Sequence, residues 1–342
     1  SCLLEDPSEE ELTVADYPRD FVEREKPVLT AEAPELYGWP FDAEEAVLRQ
    51  EASGEELRRT LDLGEGISME FVLIPPGEFV MGGDRFADEL PLTAVEISAP
   101  FWMGVTEVTN AQYARFDPAH DSRYLDQHNK DHTTPGYPAN EPNQPVIRIS
   151  WDEARAFTQW LMEHSGEPCG LPTEAQWEWA CRAGSATAMS YGTLDDDFSQ
   201  LSNLADLSVR RLAVAGVNPQ PIADPSPFMD FLPKETRFDD GERLMCAVGQ
   251  YGANAWGLKD MHGNVSEWTL TAYRPYPYAE TDGRNETNAA EKRVVRGGSW
   301  RDRPARARSA FRLAYAPWQS VFNVGFRVII PAGAAHDNLA AQ

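Results

Sequence analysis

"VVRGGSWRDRPARARSAFRLAYAPWQSVFNVGFRVI", residues 294–329, crowds arginine and aromatic residues around a glycine pair. From Arg293 to Arg327, eight arginines stand in 35 residues, and Asp302 is the only acid among them. The chain as a whole has the opposite character, because its 342 residues carry a net charge of −25. The stretch therefore has two interpretations: an active site that keeps its chemistry, or a surface that only binds.

The overall composition is that of a globular protein rich in loops. Hydrophobic residues make up 42% of the chain, and 26 prolines and 24 glycines predict many turns between short elements. The strong negative charge disfavours nucleic acid and anionic membrane surfaces as partners, because their phosphates would be repelled. Cations, or a basic face of another protein, suit this chain better.

The first 66 residues differ in composition from the rest. They are rich in acids and repeatedly broken by proline, which predicts an extended arm. Residues 42–62 have helix formers throughout, with acids early and arginines late, and we predict one helix there despite Gly54. Four apolar side chains also lie in the arm: Leu36, Tyr37, Trp39 and Phe41. We expect them to dock the arm on the main domain or on a neighbouring protein, because burying aromatic area stabilises the docked state.

Cys2 stands near the start of the arm and is followed by the acidic run "LLEDPSEEEL". This pattern predicts a bacterial lipoprotein, in which an acylated cysteine is followed by a solvated tether. The alternative is a cysteine without that role, because Ser1 precedes it where an acylated cysteine would come first. No run of about 18 apolar residues occurs, so the sequence predicts no helix that spans a bilayer.

The main domain begins near Ile67. Its first segment, "MEFVLIPPGEFVMGG", has short apolar runs around Pro-Pro-Gly and predicts two strands joined by a turn. A helix is predicted in "SWDEARAFTQWLMEHSG", with a capping box of Ser150 and Glu153 at its start and Gly166 at its end. A second helix is predicted in "PTEAQWEWACRAG", and the proline-rich segment from about 185 to 250 is predicted to be loop.

Seven motifs occur in the order seen in the formylglycine-generating-enzyme family, the sulfatase-modifying factors. They are "MEFVLIPPGEFVMGG" (69–83), "EVTNAQYARF" (107–116), "PVIRISWDEARAFTQWL" (145–161), "GLPTEAQWEWACRAG" (170–184), "GLKDMHGNVSEWT" (257–269), "VVRGGSW" (294–300) and "NVGFRVI" (323–329). The chain resembles this family over residues 67–330, which leaves an N-terminal arm at 1–66 and a tail at 331–342. The resemblance implies an α+β, C-type-lectin-like domain that is loop-rich and low in regular secondary structure. Such a fold serves both enzymes and binding proteins, so it does not decide the function.

The copper site of the family is altered in this chain. Formylglycine-generating enzymes carry two cysteines, five positions apart, just after the Gly-Gly-Ser-aromatic motif, and the matching residues here are Asp302 and Ala307. A carboxylate and a methyl group cannot replace the thiolates that copper(I) requires, so no copper is expected. Cys181 matches a structural cysteine of the family, but Val328 stands in place of its usual partner. The four cysteines are far apart and imply no disulfide.

Iron is the alternative to copper as a catalytic metal. Iron enzymes of the wider family use three histidines, and six are present here: His120, His128, His132, His164, His262 and His336. In "HDSRYLDQHNKDH" (120–132), His128 and His132 could ligate from one face of a helix. That segment lacks apolar periodicity and runs into "TTPGYP", so a solvated loop is favoured.

The resemblance also places part of the arginine-rich stretch at the rim of the family's substrate cleft. The candidate cleft residues are Trp300, Arg301, Asp302, Arg303, Arg306 and Trp318, and the resemblance places Arg308 near the same rim. Arginine offers forked donors to carboxylate, sulfate or phosphate, and tryptophan offers a flat face for stacking. The other interpretation is that these arginines pair with carboxylates of the protein, as we expect for Arg296 and Arg327.

Calcium is the cofactor that the resemblance implies. In "DMHGNVSEW", Asp260 and Glu267, with the carbonyls of Gly263 and Val265, would form one site, since oxygen donors on a tight turn suit a hard cation. The ligands of a second site would be Asn203, Leu204, Asp240 and Glu242. Both ions would hold loops together rather than take part in catalysis. The alternative at each place is a polar turn without metal.

These observations favour an extracytoplasmic, periplasmic or cell-surface protein that is stabilised by calcium and lacks the copper oxidase chemistry. It would act as a binding or assembly component, with a protein partner or a small anionic ligand. It would bind no nucleic acid and would reach the membrane only through a lipid on Cys2. The alternative is an enzyme of the same superfamily, with non-heme iron or other oxidoreductase chemistry, that acts on a small or peptide substrate.

Overall fold

The computed structural model describes residues 32–125, 136–211, 213–214, 218–221, 233–287 and 290–332. The helices in these ranges are α1 Ala43–Ala52, α2 Asn110–Tyr113, α3 Trp151–Ser165 and α4 Glu174–Arg182. The strands are β1 Arg58–Asp62, β2 Ser68–Ile74, β3 Gly77–Met81, β4 Thr93–Ile97, β5 Phe101–Gly104, β6 Tyr124–Leu125, β7 Tyr137–Pro138, β8 Ala213–Val214, β9 Asn218–Pro221, β10 Ser266–Ala272, β11 Arg293–Arg296, β12 Leu313–Tyr315, β13 Val324–Phe326 and β14 Ile329–Pro331. Long loops connect these short elements.

Two four-stranded sheets form the body of the protein. The first has the order β1-β2-β5-β14 and is antiparallel throughout. The second has the order β12-β11-β10-β13, and its only parallel pair is β10 with β13. Strands β13 and β14 follow each other directly in the chain, so the Arg327-Val328 step carries it from one sheet to the other. This architecture confirms the predicted loop-rich α+β fold.

The two longer helices form as their caps predict. At the start of α3, the Ser150 hydroxyl accepts a hydrogen bond from the Glu153 amide at 3.2 Å, and the Ser150 amide donates to the Glu153 carboxylate at 2.7 Å. Gly166 ends the helix with a φ of +76°, a conformation that costs glycine little. Thr173 and Gln176 form the same kind of capping box at the start of α4.

The single helix predicted over residues 42–62 is wrong in its second half. Helix α1 ends at Ala52, and Gly54 has a φ of +76°, which is incompatible with a continued right-handed helix. Residues Arg58–Asp62 instead form β1, which pairs along its whole length with β2. Pairing with a neighbouring strand therefore overrides the helix propensity of this segment, and it ties the end of the predicted arm into the first sheet.

The two strands predicted around Pro-Pro-Gly are present, but they do not pair with each other. Strand β2 pairs with β1 and β5 in the first sheet, whereas β3 pairs with β4 in a separate two-stranded sheet. The intervening turn therefore redirects the chain away from the first sheet.

Part of the predicted arm docks on the domain. The ring of Trp39 lies 5.8 Å from both Phe79 and Trp179 between centroids, and the Phe41 amide donates to the Gly184 carbonyl at 3.0 Å. Docking of these two aromatic residues on the domain is thus confirmed. Tyr37 differs, because its side chain is 106% exposed and packs against no core cluster.

Several predictions fall outside the described residues. These include Cys2 and the acidic run after it, the His128 and His132 pair, and the tail beyond residue 332. Across the ranges that the structure describes, no helix combines the length and the apolar character needed to cross a membrane.

Candidate functional site

Half of the eight arginines of the 293–327 stretch are partners of buried glutamates. Four such pairs connect distant parts of the chain: Arg296 with Glu178, Arg308 with Glu89, Arg312 with Glu174, and Arg327 with Glu267. All four arginines are buried. Arg308, Arg312 and Arg327 each donate hydrogen bonds to both oxygens of the partner carboxylate. The pairing interpretation therefore holds for these four, including Arg296 and Arg327, for which it was predicted.

Glu178 is the centre of this charge network. One of its oxygens accepts hydrogen bonds from the Gly82 amide at 2.9 Å and from Arg182 at 2.7 and 2.9 Å, and the other accepts from Arg296. Glu174 lies one turn earlier on the same face of α4, so the helix presents two carboxylates, one to Arg296 of β11 and one to Arg312 just before β12. Such fully hydrogen-bonded pairs are the arrangement in which buried charge is tolerated.

The predicted cleft residues do not form one surface. Trp300 is only 1% exposed and packs in a core cluster with Ile147 and Val265, so its predicted role as a stacking face is wrong. Asp302 is also buried and accepts a hydrogen bond from the Ser299 hydroxyl at 2.7 Å. Ala307 is fully buried.

The remaining candidates lie closer to solvent. The Arg306 side chain is 52% exposed and comes within 3.8 Å of Asp302. The Arg301 guanidinium lies 4.9 Å from the centre of the Phe322 ring, Arg303 is half-buried just before the turn Pro304–Arg306, and Trp318 is 73% exposed. Of the six candidate cleft residues, Arg306 and Trp318 therefore have the side chains that are most exposed to solvent.

The first predicted calcium site contains an unsatisfied pair of carboxylates. Asp260 Oδ1 and Glu107 Oε2 are both buried without a hydrogen-bond partner in the described structure. Burial is the main cause that raises the pKa of Glu107 well above its usual range, and the negative charge of Asp260 is the second cause. Two carboxylates repel each other unless a proton or a cation lies between them. A shared proton or a bound cation would each relieve this repulsion.

Two asparagine side chains and a close approach of two loops adjoin this pair. The Asn264 side chain donates to Glu107 Oε1 at 3.1 Å, and Asn203 Oδ1 is a further buried oxygen without a partner. Gly263 has a φ of +91°, and a Cβ there would lie 2.1 Å from the Asn203 carbonyl oxygen, so only glycine allows the two loops to approach. Glu107 was missed in the sequence, where it appears only as the first residue of the "EVTN" motif.

Glu267 has a different role from the one predicted. Its carboxylate is held by Arg327 at 2.6 and 2.8 Å and accepts a hydrogen bond from the Trp177 indole at 2.7 Å. It is therefore neutralised by protein groups. In the ranges that the structure describes, no three His, Cys, Asp or Glu side chains are grouped as metal ligands. A cation here would depend on two carboxylates together with amide and carbonyl oxygens, a donor set that suits calcium rather than iron or copper.

The second predicted calcium set is held together by hydrogen bonds. Asp240 Oδ2 accepts from the Leu204 amide and Oδ1 from the Glu242 amide, both at 2.8 Å. The Glu242 carbonyl accepts from the Ser208 hydroxyl, so the described contacts of Glu242 involve its backbone. Burial and the charge of Asp206 raise the pKa of Asp240 to about 7. The predicted residues are neighbours, but backbone donors already use the oxygens of Asp240.

A buried group around Cys181 was not predicted. Its sulfur lies 3.5 Å from the Ser309 hydroxyl and 3.6 Å from His262 Nε2. His262 Nδ1 donates to the Ala307 carbonyl at 2.7 Å, while Nε2 accepts from the Ser190 amide at 3.0 Å. Burial lowers the pKa of His262 to about 4, so the imidazole is neutral and cannot stabilise a thiolate. The group is therefore structural rather than a cysteine–histidine nucleophile.

The described cysteines are expected to resist alkylation in the native protein. Burial raises the pKa of Cys169 to about 11 and that of Cys181 to about 12, and it also raises the pKa of Cys246. At pH 8 we expect iodoacetamide to modify all three at least about 100-fold more slowly than free cysteine, because the thiolate is the nucleophile. Peptide mapping by mass spectrometry measures this, with urea-unfolded protein as the control. Rapid native labelling at any of the three would contradict the assignment.

The comparisons with known proteins agree with the fold. The family described as "Sulfatase-modifying factor enzyme 1-like domain" matches residues 65–332. The chain is 27% identical over 303 residues to the formylglycine-generating enzyme of Streptomyces coelicolor, which covers 75% of this chain and 87% of that protein. It is 26% identical to the "Inactive C-alpha-formylglycine-generating enzyme 2" of Bos taurus, with 80% and 92% covered. The structure of PvdO from Pseudomonas aeruginosa superposes with a TM-score of 0.61 at 23% identity, over 81% of this chain and 99% of PvdO, and shares its fold.

Proposed function

Because the chain belongs to the sulfatase-modifying factor enzyme 1-like family, we propose that it is a binding or assembly member that lacks the family's copper oxidase chemistry. The observation that carries this proposal is the chemistry of two buried residues. Asp302 is engaged with the Ser299 hydroxyl, and Ala307 offers only a methyl group. Neither supplies the soft thiolate that copper(I) prefers. A relative named as inactive supports the existence of such members in the family.

The first test is an oxidation assay. Purified protein, loaded with copper(I) or not, is expected to form no aldehyde from a peptide that carries a sulfatase-type cysteine motif. The physical reason is that no thiol pair stands at the matching positions to bind the metal or the substrate sulfur. Aldehyde is measured by mass spectrometry after hydrazide capture, with the Streptomyces coelicolor enzyme as the positive control. Aldehyde formation above the peptide-only background would refute the proposal.

Calcium is the resident ion of this proposal. The residues that would hold it are Glu107 and Asp260, with the carbonyls of Gly263 and Val265 on the turn that follows Asp260. The unpartnered oxygens of Glu107 and Asp260 support this assignment, because a divalent cation would neutralise both. When bound, calcium would supply charge neutralisation and would join distant loops. The second set is a weaker candidate, because backbone amides already hold Asp240.

An extracytoplasmic location and a lipid anchor on Cys2 complete the proposal. The support is the acidic, polar run that follows Cys2 in the sequence. Radiolabelled palmitate should enter the wild-type protein expressed in a bacterial host behind a lipoprotein signal, and Cys2→Ser should abolish the label. A wild-type protein that stays unlabelled while a known lipoprotein is labelled would remove the anchor and leave the rest of the proposal intact.

The partner of this proposal is a protein with a basic face. The support is the net charge of −25, which favours a positively charged surface at short range. Association through such a face should weaken as salt is raised, since charge contacts are screened.

A further inference from the structure

A large cavity lies between the docked N-terminal segment and the loop that follows β3. Residues 33–40 form one wall and Gly82–Arg85 form the opposite wall. Its volume of about 1060 Å³ is at the upper end of the range for small-molecule sites. Of the residues predicted at the cleft rim, Arg308 lines this cavity, whereas Trp300–Arg306 and Trp318 do not, so the two spaces share one residue.

The cavity has an apolar and aromatic side. Tyr37 and Trp39 line it from the N-terminal segment, and Leu92 and Leu194 line it from the domain. Trp39 is fixed by its contacts with Phe79 and Trp179, whereas the Tyr37 side chain is fully exposed. A ligand that entered the cavity would cover the Tyr37 ring, which in the free protein is covered by nothing else. That burial favours binding without first breaking a contact of the protein.

Arginine side chains line the other side of the cavity. Arg308 is buried at its surface, and Glu89 and the Ala305 carbonyl use three of the five N–H donors of its guanidinium. Two donors therefore remain for an acceptor in the cavity. Arg182 also lines the space, where it is paired with Glu178, and Arg85 lies in the opposite wall.

The acids that line the cavity lie in exposed positions, where they oppose an anion only weakly. Glu35 and Asp84 also line it, but both are exposed to solvent. Water and salt reduce the effect of these exposed charges. Glu89 is buried and pairs with Arg308, so a ligand anion would bind through the two remaining N–H donors of the guanidinium and not through a net positive charge. The net charge of the whole chain matters little here, because interactions beyond about 8 Å are screened at physiological ionic strength.

We propose that this cavity binds a small anionic ligand that also carries an aromatic ring, with the anion on Arg308 and the ring against Tyr37. The carboxylate of an N-acylated aromatic amino acid, or the end of a peptide chain, has this chemistry. The N-terminal segment is anchored at Trp39 and Phe41, and the Arg49 side chain donates to the Gly38 carbonyl at 3.1 Å, so the wall is already in place before a ligand arrives. This proposal rests on the binding role proposed above, and it names where and what the protein binds.

The test uses N-acetylphenylalanine as the probe and its neutral carboxamide as the matched control. Ligand-observed NMR titration gives the dissociation constant of each. The wild-type protein is expected to bind the carboxylate at least about tenfold more tightly than the amide, because only the carboxylate makes a charge-assisted bond to arginine. Tyr37→Ala should weaken binding by about tenfold through loss of the ring contact. Ala186→Trp, which places a bulky ring at an exposed position of the cavity wall, should abolish binding.

Arg306→Gln and Trp318→Ala are the matched controls, because both residues are exposed and lie on the predicted cleft rim instead. Binding that survives these two changes but not Tyr37→Ala or Ala186→Trp would support the proposal. Binding lost in the rim variants and kept in the cavity variants, equal affinity for acid and amide, or no binding of either probe would each overturn it. The aldehyde assay is independent of these results, so failure here leaves the proposed loss of oxidase chemistry standing.

Discussion

Glu178→Gln is expected to lower the free energy of unfolding by about 3–5 kcal/mol, the usual cost of removing one partner from a buried ion pair. The carboxylate accepts hydrogen bonds from Arg182, Arg296 and the Gly82 amide, and both arginines are buried. The glutamine amide has the same shape but no charge, so it cannot neutralise either guanidinium. Its NH₂ group would also face N–H groups, which are donors and cannot accept a hydrogen bond from it. Urea unfolding followed by tryptophan fluorescence measures the change.

Glu65→Gln is the matched control for this prediction. Glu65 pairs with Arg115 at 2.6 Å, but its side chain is 76% exposed, so water replaces the lost contact. The same chemical change should cost less than about 1 kcal/mol there. Equal effects of the two substitutions would show that the buried network contributes no more than a surface pair, contrary to the role assigned to the arginine-rich stretch.

Calcium at 100-fold above its dissociation constant is expected to raise the free energy of unfolding by about 2.7 kcal/mol, and Glu107→Gln should remove most of that increment. In chelator, the same substitution should leave the protein as stable as the wild type or more stable. The reason is that it replaces a buried carboxylate, one oxygen of which has no hydrogen-bond partner, with a neutral group. The opposite signs of the two effects distinguish a metal ligand from a residue that only packs.

Asp260→Asn is the companion variant, since it keeps the shape of the side chain and removes its charge. It should keep a smaller response to calcium, because the amide oxygen can still coordinate while one negative charge is lost. Urea unfolding in EGTA, in calcium and in magnesium provides the comparison. A Glu107→Gln protein that retains the full calcium response, or that loses the same stability with and without calcium, would refute the assignment of Glu107 as a ligand.

Local rules account for the elements that the sequence predicted correctly. Helix α3 begins at a capping box of residues three apart and ends at a glycine with positive φ, so the groups that define each end lie within about one turn of that end. The same locality explains α4. The fold class followed from seven ordered motifs, and the excess of arginine in residues 293–327 was visible in the composition alone. Pairing of Arg296 and Arg327 with core carboxylates was predicted, but their partners were not.

Tertiary structure decided what depends on contacts between distant residues. Residues 58–62 became a strand because β2 supplied hydrogen bonds, and Trp300 became a core residue because Ile147 and Val265 pack on it. Glu107 lies 157 positions from Asn264, and no local pattern indicates that their side chains meet.

The cavity beside Tyr37 also depends on tertiary structure, since its walls come from segments far apart in the chain. Residue type, caps and motif order are properties of neighbouring positions, and the sequence by itself determined those. Burial, charge pairing and cavities depend on which distant surfaces the folded chain brings together, and only the tertiary structure determines them.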